Sequence, residues 1–543
     1  MHRKTGGEVV IEALQNEGVE RIFGIPGIHN LAVYDAIHDS KMEHVATRHE
    51  QGAGFMAIGH ARATGKPGVA LVITGPGLAN IATAMGQAYH DSVPLLVISS
   101  QVETSARHYR SGYLHEMKNS TYFASSVTKS SRCIDHGWQI GNAISEAYRL
   151  AGSGRPGPVH IEIPLDILQN FIEGSDIGSS TVPTEFDKAS SLLSEKVKEV
   201  VKLLKESENP LILAGGGAAT ASREVRQLCE QLAIPTVTTC AGKGVIDERD
   251  PLSLGCRLHF PSVQKMLLES DLVLALGTEL SPTDFWQRSL TLGKKLVCVN
   301  TDPSAFYNQR TADIGIKSEV KSFLFQLLKE ELDLPSEPEE RFRRVDEAIR
   351  EARNSLSAVT GMDKELDLVS EMLKKIRSQI GDKGIFWADM TSPAYIAVSE
   401  YLTYDPLTFL HPVGFGTLGA AMPGAIGTLL ATSEKRVCAL AGDGGFQFTL
   451  QELAVASELE LPLPIIIWND CGYGEIRRNQ SSREPARIIA VDHRSLDYQA
   501  LAKAYNMEGI TLDSVEDLDE ALEESFKRKG PTIIEINVKE CLR

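Results

Sequence analysis

The sequence predicts an α/β protein made of three doubly wound parallel-sheet domains. Three observations carry that prediction. Short apolar runs of strand length recur along the chain, and each ends in a glycine- or proline-rich turn before a helical pattern begins. These runs are apolar throughout and do not alternate, as expected of strands covered on both faces in a parallel sheet. The rhythm is broken twice by polar stretches, and 543 residues suffice for about three domains with their own cores.

The first domain is expected over residues 1–172. Val9, Val10, Ile11, Ala13 and Leu14 give the face of an amphipathic helix, not a signal peptide. Strands are expected at 21–25, 45–47, 69–73, 95–99 and 159–163, punctuated by Ile25-Pro26-Gly27, Gly75-Pro76-Gly77 and Pro156-Gly157-Pro158. Residues 173–188 read as a linker. The central domain, 190–335, has strands at 211–214, 272–276 and 296–299. The run Gly215-Gly216-Gly217 invites a dinucleotide reading, but it is not a full GxGxxG opening a helix. Asp302 reads either as a ribose ligand or as a solvated turn before Pro303. Residues 331–384, with Glu337-Pro338-Glu339-Glu340-Arg341, read as a linker plus exposed helices. The third domain, 365–543, has strands at 386–388, 408–410, 437–441, 464–468 and 532–537.

Composition narrows the function. Lys and Arg total 55 against 72 Asp and Glu, a net charge of −17, which disfavours a nucleic-acid or anionic-membrane surface. No run of 18 or more apolar residues is present, so no transmembrane helix is expected. The eight cysteines are scattered without a CxxC pair, and most read as buried thiols, compatible with a cytoplasmic enzyme.

The chemistry concentrates in two places. Gly442, Gly444 and Gly445 surround Asp443 directly after a buried strand, and a second strand ends in Asn469-Asp470. Two carboxylates at the C-terminal edge of a parallel sheet, beside a glycine turn, suit Mg²⁺ holding a diphosphate. Thr449 and Glu452 form a capping-box pattern for the next helix. In the first domain Glu50 enters an Ala/Gly-rich helix, where it reads either as a carboxylate favoured by the helix dipole or as a desolvated acid.

Asp443 with Asn469-Asp470-Cys471-Gly472-Tyr473 resembles the motif of the thiamine diphosphate (ThDP) enzymes. The segment around Glu50 resembles their pyrimidine-binding domain, and Gly414 through Pro423 their segment beneath the cofactor. The resemblance implies that Asp443, Asp470 and the Gly472 carbonyl hold Mg²⁺. It implies further that Gly442, Gly444, Gly445 and Tyr473 line the diphosphate site. Gly416 and Leu418 support the pyrimidine, Leu418 wedging the cofactor into its bent form, and Glu50 hydrogen-bonds the aminopyrimidine. Asp470 stands where the family usually has Asn, which adds a negative charge. The family also implies a homodimer or homotetramer with sites between subunits.

Within the family, the chain resembles both acetolactate synthases and 2-oxo acid decarboxylases. No Trp follows Tyr473, and residues 277–284 lack the synthase's Arg-Phe-Asp-Asp-Arg, so bound FAD is not expected. Leu114-His115-Glu116, Gly277-Thr278-Glu279-Leu280 and Gly472 through Arg477 are similar to the 5-guanidino-2-oxopentanoate decarboxylase-like branch. The expected reaction is non-oxidative decarboxylation of a 2-oxo acid through a carbanion–enamine. His115 is placed to move a proton, or is a surface-loop histidine. Glu475 and Glu116 are candidate partners for a cationic substrate tail, or solvated carboxylates, and His29 is a further proton-transfer candidate. Two other readings stand beside this one. One is a carboligase of acetolactate synthase type. The other is a catalytically idle ThDP-fold regulatory or assembly protein, which predicts a lost Glu50.

Overall fold

Runs apolar on both faces become strands where helices can cover both sides of a sheet. The computed structural model describes residues 3–107, 112–172, 186–289, 291–332 and 338–543. It contains three six-stranded parallel sheets. The expected linker at 173–188 falls outside the described residues through residue 185, as does Glu337.

The first sheet runs, edge to edge, Glu43–Ala46, Arg21–Gly24, Gly68–Val72, Leu95–Gln101, Pro158–Pro164 and Ser130–Cys133. The third runs Phe409–Leu410, Ile385–Ala388, Val437–Gly442, Pro464–Asn469, Thr532–Asn537 and Glu508–Leu512. Counted within its own domain, each has the strand order 2-1-3-4-6-5. The central sheet runs Ser253–Gly255, Thr236–Thr238, Pro210–Ala214, Leu272–Leu276, Lys295–Asn300 and Ile314–Lys317, the order 3-2-1-4-5-6 of dinucleotide-binding folds.

Every expected strand is present. Of the strands that the sequence did not announce, Ser130–Cys133, Ile314–Lys317 and Glu508–Leu512 are edge strands with partly exposed residues, while Thr236–Thr238 is buried inside the central sheet but too short and threonine-rich to show an apolar run. Two expectations are corrected. The helices Pro338–Asn354 and Leu366–Ile380 are not simply exposed; one buries Val345, Ala348 and Ala352, the other Val369, Met372, Leu373 and Ile376. Most of their charges occupy the outer face, while Arg341 and Arg377 are buried. Thr449 and Glu452 do not form a capping box, because tertiary partners take both side chains. The Thr449 hydroxyl donates to the Gly419 carbonyl at 2.8 Å, and buried Glu452 accepts from the Arg48 N–H at 3.1 and 3.2 Å.

The central glycine run serves loop packing. The Gly217 N–H donates to the Gly277 carbonyl at 2.9 Å, and a Cβ at Gly215 would run into that same carbonyl. Asp302 caps a turn by accepting from the Ser304 N–H at 2.9 Å, as the turn reading expects.

The outer domains meet through two helices that follow the second strand of each sheet, Glu50–Thr64 and Ala421–Ala431. They pack antiparallel and backbone to backbone. A Cβ on Gly59 would strike the Gly424 carbonyl, and one on Gly427 the Met56 carbonyl. In both outer sheets the crevice where strand order reverses lies between the first and third strands, the place where open parallel sheets bind ligands.

Candidate active site

In the third domain that crevice is walled by Asp389-Met390-Thr391-Ser392 after one strand and Gly442-Asp443-Gly444-Gly445 after its neighbour. Asp443 is 1% exposed, and neither carboxylate oxygen has a hydrogen-bond partner. Burial and the charge of neighbouring Asp470 push its carboxyl well above the usual range. Asp470 is also raised by burial, with Arg477 and Arg478 pulling it back. A buried carboxylate without partners is strongly unfavourable unless a cation compensates it. Among the described residues no group of three His, Cys, Asp or Glu side chains forms a metal cage. Two carboxylates and a main-chain carbonyl, completed by water and phosphate oxygens, are what Mg²⁺ accepts. The residues therefore fit the implied cofactor and metal.

The turn carrying the third donor is held from outside. Arg477 donates to the Asp470 carbonyl at 3.3 Å and the Cys471 carbonyl at 3.0 Å, and pairs with Asp492 at 2.7 Å. Gly472 has φ +156°, and a Cβ there would meet the Val491 carbonyl. His493 Nδ1 lies 3.4 Å from Asp443 Oδ2, and its ring meets the Tyr473 ring edge-on at 5.4 Å. Both rings lie against Gly444, which has no room for a side chain: a Cβ there would be 2.7 Å from Tyr473.

Leu418 is half-buried and faces Gly445. Its loop is positioned by Asp389, which accepts from the Gly419 N–H at 2.7 Å and the Ala420 N–H at 3.2 Å. Burial pushes Asp389 up to about 6, and those N–H groups limit the rise. Gly416, with φ +67°, supplies the left-handed turn ahead of Leu418.

In the first domain Glu50 is 8% exposed at the first position of its helix, with His49 as the N-cap. Asn80 donates to Glu50 Oε2 at 2.9 Å, and Gly77 leaves room for the other oxygen. The same corner holds His29 and His115, with ring centroids 5.2 Å apart. Burial and the neighbouring His115 lower the His29 pKa, and both Nδ1 atoms are buried without partners. His115 reaches this place through a left-handed φ of +66° and rests on Gly75, itself at φ +67°. The structure thus brings His29 and His115 together, with His115 on Gly75, two residues from the Gly77 that faces Glu50.

Glu116 and Glu475 have other engagements. Glu116 accepts from the N–H groups of Gly112 and Tyr113 at 2.9 and 3.2 Å and closes a turn. Glu475 accepts from Arg478 at 2.6 Å and Asn479 at 2.8 Å. Sequence reasoning missed Asn80, Asp389, Arg477 and His493. Asp389 had a signal, since it directly follows a buried strand as Asp443 does. His493 lies in an irregular segment and had none.

Within one chain the two halves stand apart. The helix Pro76–His90 meets Glu50 near its start, through Gly77 and Asn80. Near its end it meets the Leu418 loop, where the Thr417 N–H donates to Gln87 at 3.3 Å and the Gly414 N–H to Asp91 at 3.0 Å. From Asn80 to Gln87 is about 10 Å of helix at 1.5 Å per residue.

Comparison with known proteins agrees with this geometry. Residues 4–122 match the thiamine pyrophosphate enzyme N-terminal TPP binding domain, 197–327 the central domain and 390–536 the C-terminal TPP binding domain. The chain is 37% identical to a probable 2-ketoarginine decarboxylase, AruI, of Pseudomonas aeruginosa, over 98% of this chain and 94% of the relative. It is 32% identical to a probable acetolactate synthase large subunit of Methanocaldococcus jannaschii, over 98% and 91%. It is 29% identical to the acetolactate synthase isozyme 1 large subunit of Escherichia coli, over 99% and 94%. With three TPP-enzyme domains in order and relatives aligned end to end, the chain belongs to the thiamine pyrophosphate enzymes, in the group that holds decarboxylases and acetolactate synthases.

Proposed function

We propose that the chain decarboxylates a 2-oxo acid longer than pyruvate that ends in a guanidinium group. It uses thiamine diphosphate and Mg²⁺, without flavin, as a cytoplasmic homodimer or homotetramer. The observation that carries the substrate reading is similarity along 98% of the chain to a probable 2-ketoarginine decarboxylase, with Glu475 and Asn479, not Trp, following the metal turn.

Asp443, Asp470 and the Gly472 carbonyl are the donors for Mg²⁺, with Arg477 fixing the turn that presents the carbonyl. When bound, the cofactor's thiazolium takes up the negative charge left as CO₂ departs. Glu50, held by Asn80, keeps a proton at the aminopyrimidine. His29 and His115 are the pair that delivers and accepts a proton at the substrate carbon; a neutral imidazole beside a second one suits that exchange. Leu418, on a loop fixed by Asp389, is the apolar side chain that would support the bound cofactor. The separation of Glu50 from Leu418 along the Pro76–His90 helix supports a site completed by a second chain. Among the described residues no helix is long and apolar enough to cross a membrane.

A carboligase of acetolactate synthase type is the second reading, favoured by the relatives at 29% and 32% identity. The idle-protein reading is disfavoured by the complete set Glu50, Asp443 and Asp470. The test is a panel of 2-oxo acids with cofactor and Mg²⁺, measuring CO₂ and acetolactate. A charge-assisted hydrogen bond is worth roughly 1.5–3 kcal/mol. The expected kcat/KM for 5-guanidino-2-oxopentanoate therefore exceeds that for 2-oxohexanoate by about tenfold to a hundredfold. Preference for pyruvate with acetolactate as product overturns this reading in favour of the synthase, and turnover of no 2-oxo acid favours the idle protein.

A further inference from the structure

Trp286 ends the short helix Pro282–Phe285 of the central domain with its backbone at φ +52°. A bulky residue rarely adopts that left-handed conformation, and it persists only where the surroundings hold it. Core packing does not explain it, because 41% of Trp286 is exposed. The indole stacks on His259 with centroids 4.0 Å apart and planes at 21°, and meets the Tyr395 ring edge-on at 6.0 Å. Burial and the Arg257 charge push His259 down to about 3, so its imidazole stays neutral and does not occupy the indole as a cation. Among the described residues, no Lys or Arg lies over the Trp286 ring.

Tyr395 connects this indole to the metal turn. It lies on the helix Ser392–Glu400, three residues beyond Ser392 and on the same face. The Ser392 hydroxyl accepts from Arg478 at 2.8 Å, and the same guanidinium nitrogen donates to Glu475 at 2.6 Å. Glu475 is the second residue of the helix Gly474–Ser481, which leaves the Gly472-Tyr473 turn. Its carboxylate carries two hydrogen bonds, from Arg478 and Asn479, and its side chain is 33% exposed. An ionised carboxylate has about four acceptor positions, so capacity remains. Indole, phenol and carboxylate thus run from the central domain to the helix that leaves the Gly472-Tyr473 turn, the Glu475 charge acting on the Tyr395 hydroxyl.

We propose that Trp286, Tyr395 and Glu475 form the subsite for the far end of the substrate. A planar cation stacks on the Trp286 indole and directs its N–H groups to Glu475 and the Tyr395 hydroxyl. This rests on the substrate reading above and adds which residues recognise the tail. A guanidinium fits this set better than an ammonium, because it is flat, weakly hydrated and offers N–H groups along its edge.

The test uses the full chain with cofactor and Mg²⁺ and compares wild type with Trp286→Leu, Trp286→Phe and Tyr395→Phe. Two quantities are read. One is the ratio of kcat/KM for 5-guanidino-2-oxopentanoate to that for neutral 2-oxohexanoate. The other is the calorimetric Kd of unreactive 5-guanidinopentanoate. Trp286→Leu is expected to lower the ratio about tenfold and raise that Kd by the same factor, within the range of cation–π contributions. Trp286→Phe keeps a ring and falls between. Tyr395→Phe keeps the packing and lowers the ratio about threefold, which decides the matter if Trp286→Leu does not fold. A wild-type preference for the cation that survives in Trp286→Phe and Tyr395→Phe, and in Trp286→Leu where it folds, overturns the subsite and leaves the decarboxylase reading standing. A wild type indifferent to the charge overturns both.

Discussion

Asp443 is a buried carboxylate with no hydrogen-bond partner, and burial with the Asp470 charge raises its pKa, so its ionised form is unfavourable in the folded chain and gains from a bound cation. Asp443→Ala is expected to abolish retention of Mg²⁺ and thiamine diphosphate while leaving the fold intact, read by calorimetric titration. Unchanged affinity would remove Asp443 from the metal site. Glu452 makes a second prediction at this scale. Burial holds its pKa up at about 7, although the Arg48 N–H donates to it. An unfolded glutamate titrates near about 4.3. The folded state therefore binds this proton more tightly, and the resulting stabilisation is full below about pH 4 and lost as pH rises through about 7. Glu452→Gln should flatten the fall in stability between about pH 4 and pH 7 seen in denaturant titrations; an unaltered slope would show that Glu452 does not titrate there. Asp443 was legible in sequence because it directly follows a strand among glycines, whereas Glu50, four residues past its strand, was singled out by the family resemblance. Asn80 and His493 were not legible, since each acts on a residue that only the fold brings near, and Arg477 was not because its bonds go to main-chain carbonyls of its own turn.

At the scale of elements, the two glycine-rich helices Glu50–Thr64 and Ala421–Ala431 set how the outer domains meet. A methyl group at Gly427 would strike the Met56 carbonyl, and backbone cannot yield as a side chain can. Gly427→Ala is expected to destabilise the chain by about 3 kcal/mol or more, at the upper end of overpacking effects. Gly361→Ala is the control: φ is +69° with no atom within 4 Å of the added carbon, so the cost is about 1 kcal/mol from the backbone alone. Equal effects in thermal unfolding would contradict the close helix contact. The buried strands were readable from their apolar runs. Edge strands such as Ser130–Cys133 were not, because they are stabilised by pairing with a neighbour and carry no pattern of their own. The Thr449 and Glu452 capping pattern failed for a related reason: long-range partners, Gly419 and Arg48, outcompeted the local bonds.

At the scale of the whole molecule, the outer domains share one strand order although no repeat is visible in their residues. The common topology places one ligand-bearing crevice in each, with Glu50, His29 and His115 at one and Asp443, Asp470 and Leu418 at the other. In a single chain the Pro76–His90 helix meets Glu50 near its start and the Leu418 loop near its end, which supports the proposal that a working site takes one half from each of two chains. The most direct measurement is subunit complementation. Glu50→Gln chains, expected to lose about 10²–10⁴-fold in turnover as general acid–base groups do, are mixed with Asp443→Ala chains under conditions that exchange subunits. The account predicts recovery of part of the wild-type decarboxylation rate, because mixed dimers hold one site with both halves intact. No recovery, with exchange demonstrated by labelled chains, would contradict it and place the whole site within one chain.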